Sequence, residues 1–224
     1  YKILRKELSI NFSSLQDFLT NLNQLTFLNQ EKVKEGATKN NIPLVDDITG
    51  QFLMWLTAFK KPLCILEIGF GAGYSALWMA SAFPKAKIIS LEKNQDRYEK
   101  GLELLKTYPQ LNITLLFEDA RKYLKTNTAQ FDLVFFDGVK SQYLLYFDLI
   151  KPFLNPQALL ISDNLFYRGK IVESYLSPKK KKEVQKSLLF YQNLSKNPQF
   201  LSIFLPIADG IALALYQGEV KETK

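Results

Sequence analysis

Histidine is absent from the chain. That excludes imidazole-based zinc sites and every Ser-His or Cys-His nucleophile pair. Cysteine occurs once, at Cys64 inside the apolar run LCILEI. No internal disulfide can form, and a reducing, cytoplasmic setting is the expectation. No apolar run reaches the ~18 residues of a membrane span, and the N-terminus shows no signal-peptide pattern, so no membrane partner is expected. The chain begins at Tyr1 rather than methionine, which fits a trimmed N-terminus. Internal repeats are missing, and the only low-complexity stretch is a lysine run at 179–182. The 224 residues therefore read as one domain.

What is present is an ordinary globular composition, 47% hydrophobic and 23% charged. Lysine and arginine outnumber acids 29 to 22, a formal charge of +7. Such an excess gains affinity for nucleic acid by releasing counterions from phosphates. It is also a common route to solubility, and the lysines are scattered, so charge alone leaves both open.

The first 47 residues read as a helical extension. Leu15, Phe18, Leu19, Leu22, Leu25 and Leu28 recur at three-to-four spacing, predicting one amphipathic helix from a cap at Ser13 or Ser14 through residue 37. ITGQFLMWLTAF predicts a second helix ending at the Lys60-Lys61-Pro62 break. Beyond it the pattern alternates. Strands are expected at Leu63–Ile68, Lys87–Leu91, Ile113–Phe117, Leu133–Phe136 and Ala158–Ser162. Helices are expected at Tyr74–Phe83, Gln95–Tyr108, Ala120–Thr126 and Ser141–Phe153. Strand–helix repetition implies a parallel sheet covered on both faces. A helix over Lys181–Ser195, then FLSIFLP and GIALALYQ, suggests an antiparallel pair closing one edge. The core is placed at 48–217, with 218–224 as a tail.

LEIGFGAGYS at 66–75 follows the first strand. Gly69 and Gly71 fit a dinucleotide loop, but the third glycine falls at 73 and position 74 is Tyr. Glu67 before the first glycine would repel a pyrophosphate, yet it suits a ligand with a cationic aminoacyl end. The glycines let backbone N–H groups pass close to that ligand. Glu92 ends the next strand about 20 residues on, where an acid can accept from both ribose hydroxyls. Asp119 ends the third and could bond an adenine amino group. Three acids at successive strand ends outline a nucleoside-sized pocket; otherwise they are loop charges around a glycine turn.

This stretch, from Ile48 to Gln217, resembles the class I S-adenosylmethionine-dependent methyltransferases. The resemblance implies a Rossmann-like α/β fold with a mostly parallel seven-stranded sheet, an antiparallel C-terminal strand and helices on both faces. It implies S-adenosylmethionine as cofactor. Glu67, Gly69, Gly71, Gly73 and Ser75 would surround the methionyl part, Glu92 the ribose, and Asp119 with Ala120 the adenine side. Asp137 would also meet the cofactor.

The fourth strand ends FDLVFFDGVK and the fifth LLISDNLFYRG. Asp137, Asp163 and Asn164 thus lie at the carboxyl ends of neighbouring strands, where open α/β sheets place their sites. Two carboxylates and an amide oxygen suit a hard cation such as Mg²⁺. Alternatively, Asp-Asn is ordinary turn chemistry, and Lys140 is a surface lysine. Together, D-x-x-K at Asp137/Lys140, D-N at Asp163/Asn164 and P-x-x-D-G at Pro206/Asp209/Gly210 resemble the cation-dependent O-methyltransferases related to catechol and caffeoyl-CoA O-methyltransferases. That resemblance implies Asp137, Asp163 and Asn164 as ligands of a divalent cation, Lys140 as proton acceptor, and a homodimer. A cation lowers the pKa of a hydroxyl beside it and can free Lys140 to act as base.

The family methylates catechols, phenylpropanoid CoA esters and the wobble 5-hydroxyuridine of bacterial tRNA. The basic charge, Arg168 and Lys170 after D-N, and the run at 179–182 favour tRNA, the basic groups meeting phosphates around an extruded base. A small catechol-like phenol is the alternative acceptor. Tyr143, Tyr146, Phe166 and Tyr167 could stack on either, though Tyr143 and Tyr146 also have core spacing. A non-catalytic adenosylmethionine-sensing or RNA-binding protein is the alternative of another class. The chain departs from the family at LLFY (188–191) where relatives carry Arg-x-x-Asn, at NPQA in place of Pro-Gly-Gly before strand five, and at PIADG in place of PIGDG.

Overall fold

Seven apolar runs pair side by side because most are too hydrophobic to leave either face in water. In the computed structural model, which describes residues 18–19 and 22–218, they are β1 (Cys64–Ile68), β2 (Lys87–Glu92), β3 (Ile113–Phe117), β4 (Phe131–Phe136), β5 (Leu154–Ser162), β6 (Phe200–Leu205) and β7 (Ile211–Tyr216). The sheet order is β3-β2-β1-β4-β5-β7-β6. β1 to β5 pair in parallel, and β7 runs antiparallel to both β5 and β6. The expected mostly parallel sheet with an antiparallel C-terminal strand is therefore present.

Side chains alternate between two cores, as a period of two requires. Ile65, Ile88, Leu133, Phe135 and Ile161 face α2 (Asp47–Lys60) and α3 (Tyr74–Ala82), with α4 (Gln95–Leu105) beside them. Leu66, Ile89, Val134, Phe136 and Leu160 face α5 (Ala120–Thr126), α6 (Tyr143–Ile150) and α7 (Pro178–Lys196). On this second face Phe136, Tyr143, Phe147 and Phe190 form a fully buried ring cluster. Each such side chain contributes on the order of 2–3 kcal/mol by leaving water.

Four expectations need correction. The single N-terminal helix is interrupted: residues 22–23 are helical, Gln24 and Asn29 take left-handed backbone (φ 50° and 59°), and α1 begins at Gln30–Lys39. Ser13, Ser14 and Leu15 lie outside the described residues. The break seats Phe27 edge-on against Tyr74 and Trp78, with centroids at 5.4 and 5.1 Å, while Phe18, Leu22 and Leu28 stay exposed. Burying one ring in the core outweighs continuing the helix. The helix expected at Ser141–Phe153 is three pieces, a 3-10 turn Lys140–Gln142, α6, and a 3-10 turn Lys151–Phe153.

β5 starts at Leu154, before the expected Ala158: Leu154 pairs with Phe131, and an irregular register follows where Gln157 takes the left-handed backbone (φ 65°) that glycine commonly supplies. Lys60 Nζ donates to the Gln157 carbonyl at 2.6 Å and holds the bend. Finally, the lysine run lies inside α7, not ahead of it. Ser177 caps the helix by accepting from Lys180 N, and Pro178 opens its first turn. Among the described residues no helix is long and apolar enough to cross a membrane.

Candidate active site

The carboxyl ends of β1, β2, β4 and β5 open into one cavity of about 490 Å³. That is the size of a small-ligand site, at the edge where open α/β sheets place theirs. Gly69 lets its two sides meet: an added Cβ there would lie 2.5 Å from the Asp137 carbonyl oxygen, and φ is 104°. Only glycine lets the loop after β1 lie against the turn after β4. Gly73 then caps α3, and Gly71 lines the cavity.

Glu92 is buried at the end of β2, and its carboxylate accepts from the N–H groups of Gly71, Lys93 and Asn94 at 3.1, 2.9 and 2.8 Å. It fixes the glycine loop and also lines the cavity. Glu67 sits elsewhere than expected. It is fully buried beneath the loop, off the cavity wall, and accepts from Ser75 Oγ (2.5 Å) and Ser90 Oγ (2.6 Å). Burial pushes its carboxyl up to about 7, against the pull of both serines.

On the adenine side, Ala120 and Glu118 line the cavity. Asp119 instead caps α5, accepting from Arg121 N at 2.8 Å and pairing with the Arg121 guanidinium at 2.7 and 2.9 Å. Those bonds hold its carboxyl down to about 2. A carboxylate so engaged serves the helix, and Glu118 is the acid that faces the cavity.

Asp137, Lys140, Asp163 and Asn164 do come together on one wall. Asp137 N donates to the Ile68 carbonyl and Asp163 N to that of Phe136, so the sheet's own ladder sets both acids. Asp163 Oδ1 accepts from Asn164 N at 2.7 Å. Desolvation and the Asp163 charge push Asp137 well above the ordinary carboxylate range, while Lys140 pulls it down. Asp163 is pushed up to about 6 by burial, with Asp46 and Asp209 adding repulsion against the Asn164 N–H and Lys140. Buried carboxylates raised by desolvation and by the charge of neighbouring acids lack compensating positive charge. A divalent cation would supply it, and the oxygen-only donors fit a hard ion. Among the described residues no group of three acid, cysteine or histidine side chains is gathered for a metal, so such an ion would depend on the Asn164 amide and leave positions open.

Arg168, Lys170 and Tyr167 line the same cavity. Tyr143 does not: it is fully buried, and its hydroxyl donates to the Phe136 carbonyl at 3.0 Å, so the expected substrate contact is a core residue. Tyr146, one turn on, faces the cavity instead. Phe166 also packs on the core, with its ring under Gly210.

Sequence reading placed Lys180 only within the basic run and gave Asp209 no role of its own. Lys180 reaches the cavity from α7, donating to Glu183 at 2.8 Å beneath Tyr167, whose hydroxyl donates to the same carboxylate. Its signal was the lysine run. Asp209 lines the cavity from the P-x-x-D-G motif. Pro43, Leu44, Lys93 and Arg97 also line the cavity, with no local signature.

A family model described as O-methyltransferase matches residues 16–217. Catechol O-methyltransferase of Niastella koreensis is 29% identical over 178 residues, 74% of this chain and 79% of that one. Caffeoyl-CoA O-methyltransferase 1 of Eucalyptus globulus is 29% identical over 194 residues, covering 77% and 74%. The SAH-bound methyltransferase of Podospora anserina shares the fold at a TM-score of 0.81 and 24% identity, over 94% of this chain and 98% of that one. With nearly its whole folded length matched, the chain belongs to the O-methyltransferase family.

Proposed function

We propose that the chain moves a methyl group from S-adenosylmethionine to an acidic hydroxyl with the help of a divalent cation, and that the favoured acceptor is the wobble 5-hydroxyuridine of tRNA. The observation that carries the reading is one cavity with three parts: the Glu92-held glycine loop, the Asp137–Asp163 pair with Lys140, and a basic lip of Arg168, Lys170 and Lys180. When bound, the cofactor supplies an electrophilic methyl on a sulfonium, and a cation held by Asp137, Asp163 and Asn164 stabilises negative charge on the acceptor oxygen.

The chain's own residues do the rest. Glu92 orients the ribose, Ala120 and Glu118 border the adenine, and Glu67, Gly69, Gly73 and Ser75 shape the loop at the methionyl end. Lys140 takes the acceptor's proton, so the oxygen gains the methyl as the sulfonium loses it. Holding both reactants in one cavity supplies much of the acceleration.

The basic lip supports tRNA over a small phenol. Lysines in the first turn of α7 lie at the positive end of the helix dipole, where they are unfavourable for the fold. An anionic polymer across the cavity mouth offsets that cost. The second reading, a catechol-like acceptor, draws on the Niastella koreensis relative.

We further infer a homodimer, since Trp55 and Phe59 of α2 and Leu201 and Ile203 of β6 are more than half exposed. Light scattering on the purified chain reads it directly, and a monomer overturns it.

Labelled-methyl transfer with Mg²⁺, offering hypomethylated bulk tRNA and catechols in parallel, tests the function. Label in tRNA that disappears in Asp163→Ala is the expected result. Transfer to catechols alone removes the tRNA assignment. Adenosylmethionine binding with no transfer to any acceptor would favour a sensor.

A further inference from the structure

The segment after β5 adopts an unusual backbone. Asn164, Tyr167 and Arg168 all take left-handed conformations, with φ of 62°, 53° and 54°, followed by Gly169 at 75°. Non-glycine residues visit that region sparsely and persist there only where surrounding structure over-determines them. The same segment supplies Asn164, Tyr167 and Arg168 to the cavity wall.

The constraint comes from the turn that opens β7. Asp209 Oδ1 accepts from Arg168 N at 2.7 Å, the Asp209 carbonyl accepts from Phe166 N at 2.7 Å, and the Gly210 carbonyl accepts from Leu165 N at 2.9 Å. These bonds tie three residues of the segment to two of the turn. Gly210 permits the approach: a Cβ there would lie 2.9 Å from both Leu165 Cβ and Phe166 Cδ2, and φ is 87°. The turn is itself anchored, because β7 pairs with β5 through Ala212 and Ser162, next to Asp163. The Asp209 side chain enters the clamp through the hydrogen bond it accepts from Arg168 N.

We propose that Asp209 and Gly210 are positioning residues: they clamp the 164–168 segment so that Asn164 stands beside Asp163 and Arg168 stands at the cavity lip. The proposal rests on the reading that Asp163 and Asn164 hold a divalent cation. Asp209→Asn keeps an oxygen that accepts from Arg168 N, whereas Asp209→Ala removes it.

The test measures two things on the whole 224-residue chain. Trypsin cleavage after Arg168 and Lys170, followed by mass spectrometry, reads the segment without any metal. Mn²⁺ titration by electron paramagnetic resonance reads the cation site, with adenosylmethionine binding by calorimetry as a control on the β1–β2 side of the cavity. In Asp209→Ala, cleavage is expected to accelerate and Mn²⁺ affinity to fall about tenfold or more, as is typical when a partner of a ligand is removed. Asp209→Asn should stay within about threefold of the parent in both, on the strength of the retained acceptor. Cofactor affinity should hold throughout.

Equal cleavage in all three proteins would overturn the clamp. So would faster cleavage in Asp209→Ala with unchanged Mn²⁺ affinity, or an Asn variant as impaired as Ala, which would assign the effect to charge. If cleavage responds as expected but the parent itself binds no Mn²⁺, the clamp stands and the cation reading fails.

Discussion

Replacing Glu67 by Gln should flatten the pH dependence of stability. Glu67 lies beneath the glycine loop, and burial raises its carboxyl from 4.5 to about 7. The folded chain therefore binds that proton more tightly than the unfolded chain does. This contribution is fully present below pH 4.5 and is lost as pH rises through about 7. At about 1.4 kcal/mol for each tenfold change in acidity, the loss amounts to about 3 kcal/mol. Gln matches the protonated acid in shape and does not titrate. The stability difference between variant and parent should thus be constant in acid and should shift in the variant's favour by about 3 kcal/mol on going to about pH 8. Urea unfolding at several pH values, with slopes compared to check two-state behaviour, measures it. Asp163 titrates nearby but is common to both proteins, while Asp137, which the Glu67 charge helps to raise, is relieved by the same substitution, so the shift includes that relief. A difference that does not change with pH would refute the reasoning, because Glu67 would then titrate normally and could not be sealed under the loop.

Three further outcomes follow from the geometry. Asp137→Ala should abolish methyl transfer while adenosylmethionine still binds in calorimetry; lost cofactor binding would remove Asp137 from the cation site. Gln157→Gly should stabilise the chain by about 0.5–1 kcal/mol in thermal or urea unfolding, since relief of the left-handed backbone exceeds glycine's entropy. Loss of stability would show that the Lys60 contact, rather than backbone strain, governs that bend. Lys180→Ala should weaken tRNA binding across sequences and lower the slope of log affinity against log salt by about 1, and an unchanged slope would remove Lys180 from the phosphate contacts.

Much of this was legible locally. β1, β2 and β4 announced themselves as apolar runs between helical patterns, because strands covered on both faces need hydrophobic residues throughout. The glycine loop, Glu92, and the pairs Asp137/Lys140 and Asp163/Asn164 were also readable, since each begins at or just after a strand end and the fold aligns those ends. Even the bend at NPQA was visible as a missing glycine.

Direction and company were not. Whether Tyr143 or Tyr146 faces the cavity depends on how α6 is rotated against Phe136 and Phe190, which their spacing of three leaves open. Asp119 and Glu118 are neighbours in sequence, but only the start of α5 decides that one caps a helix while the other meets the ligand space. The N-terminal stripe had a sound helical period, and a pocket for Phe27 made by distant Tyr74 and Trp78 broke it. Composition and short-range pattern determined the sheet, the loop and the acids at the strand ends. The tertiary structure alone brought Asp209 to the wall beside Asn164, because hydrogen bonds between segments far apart in the chain leave no trace in local periodicity.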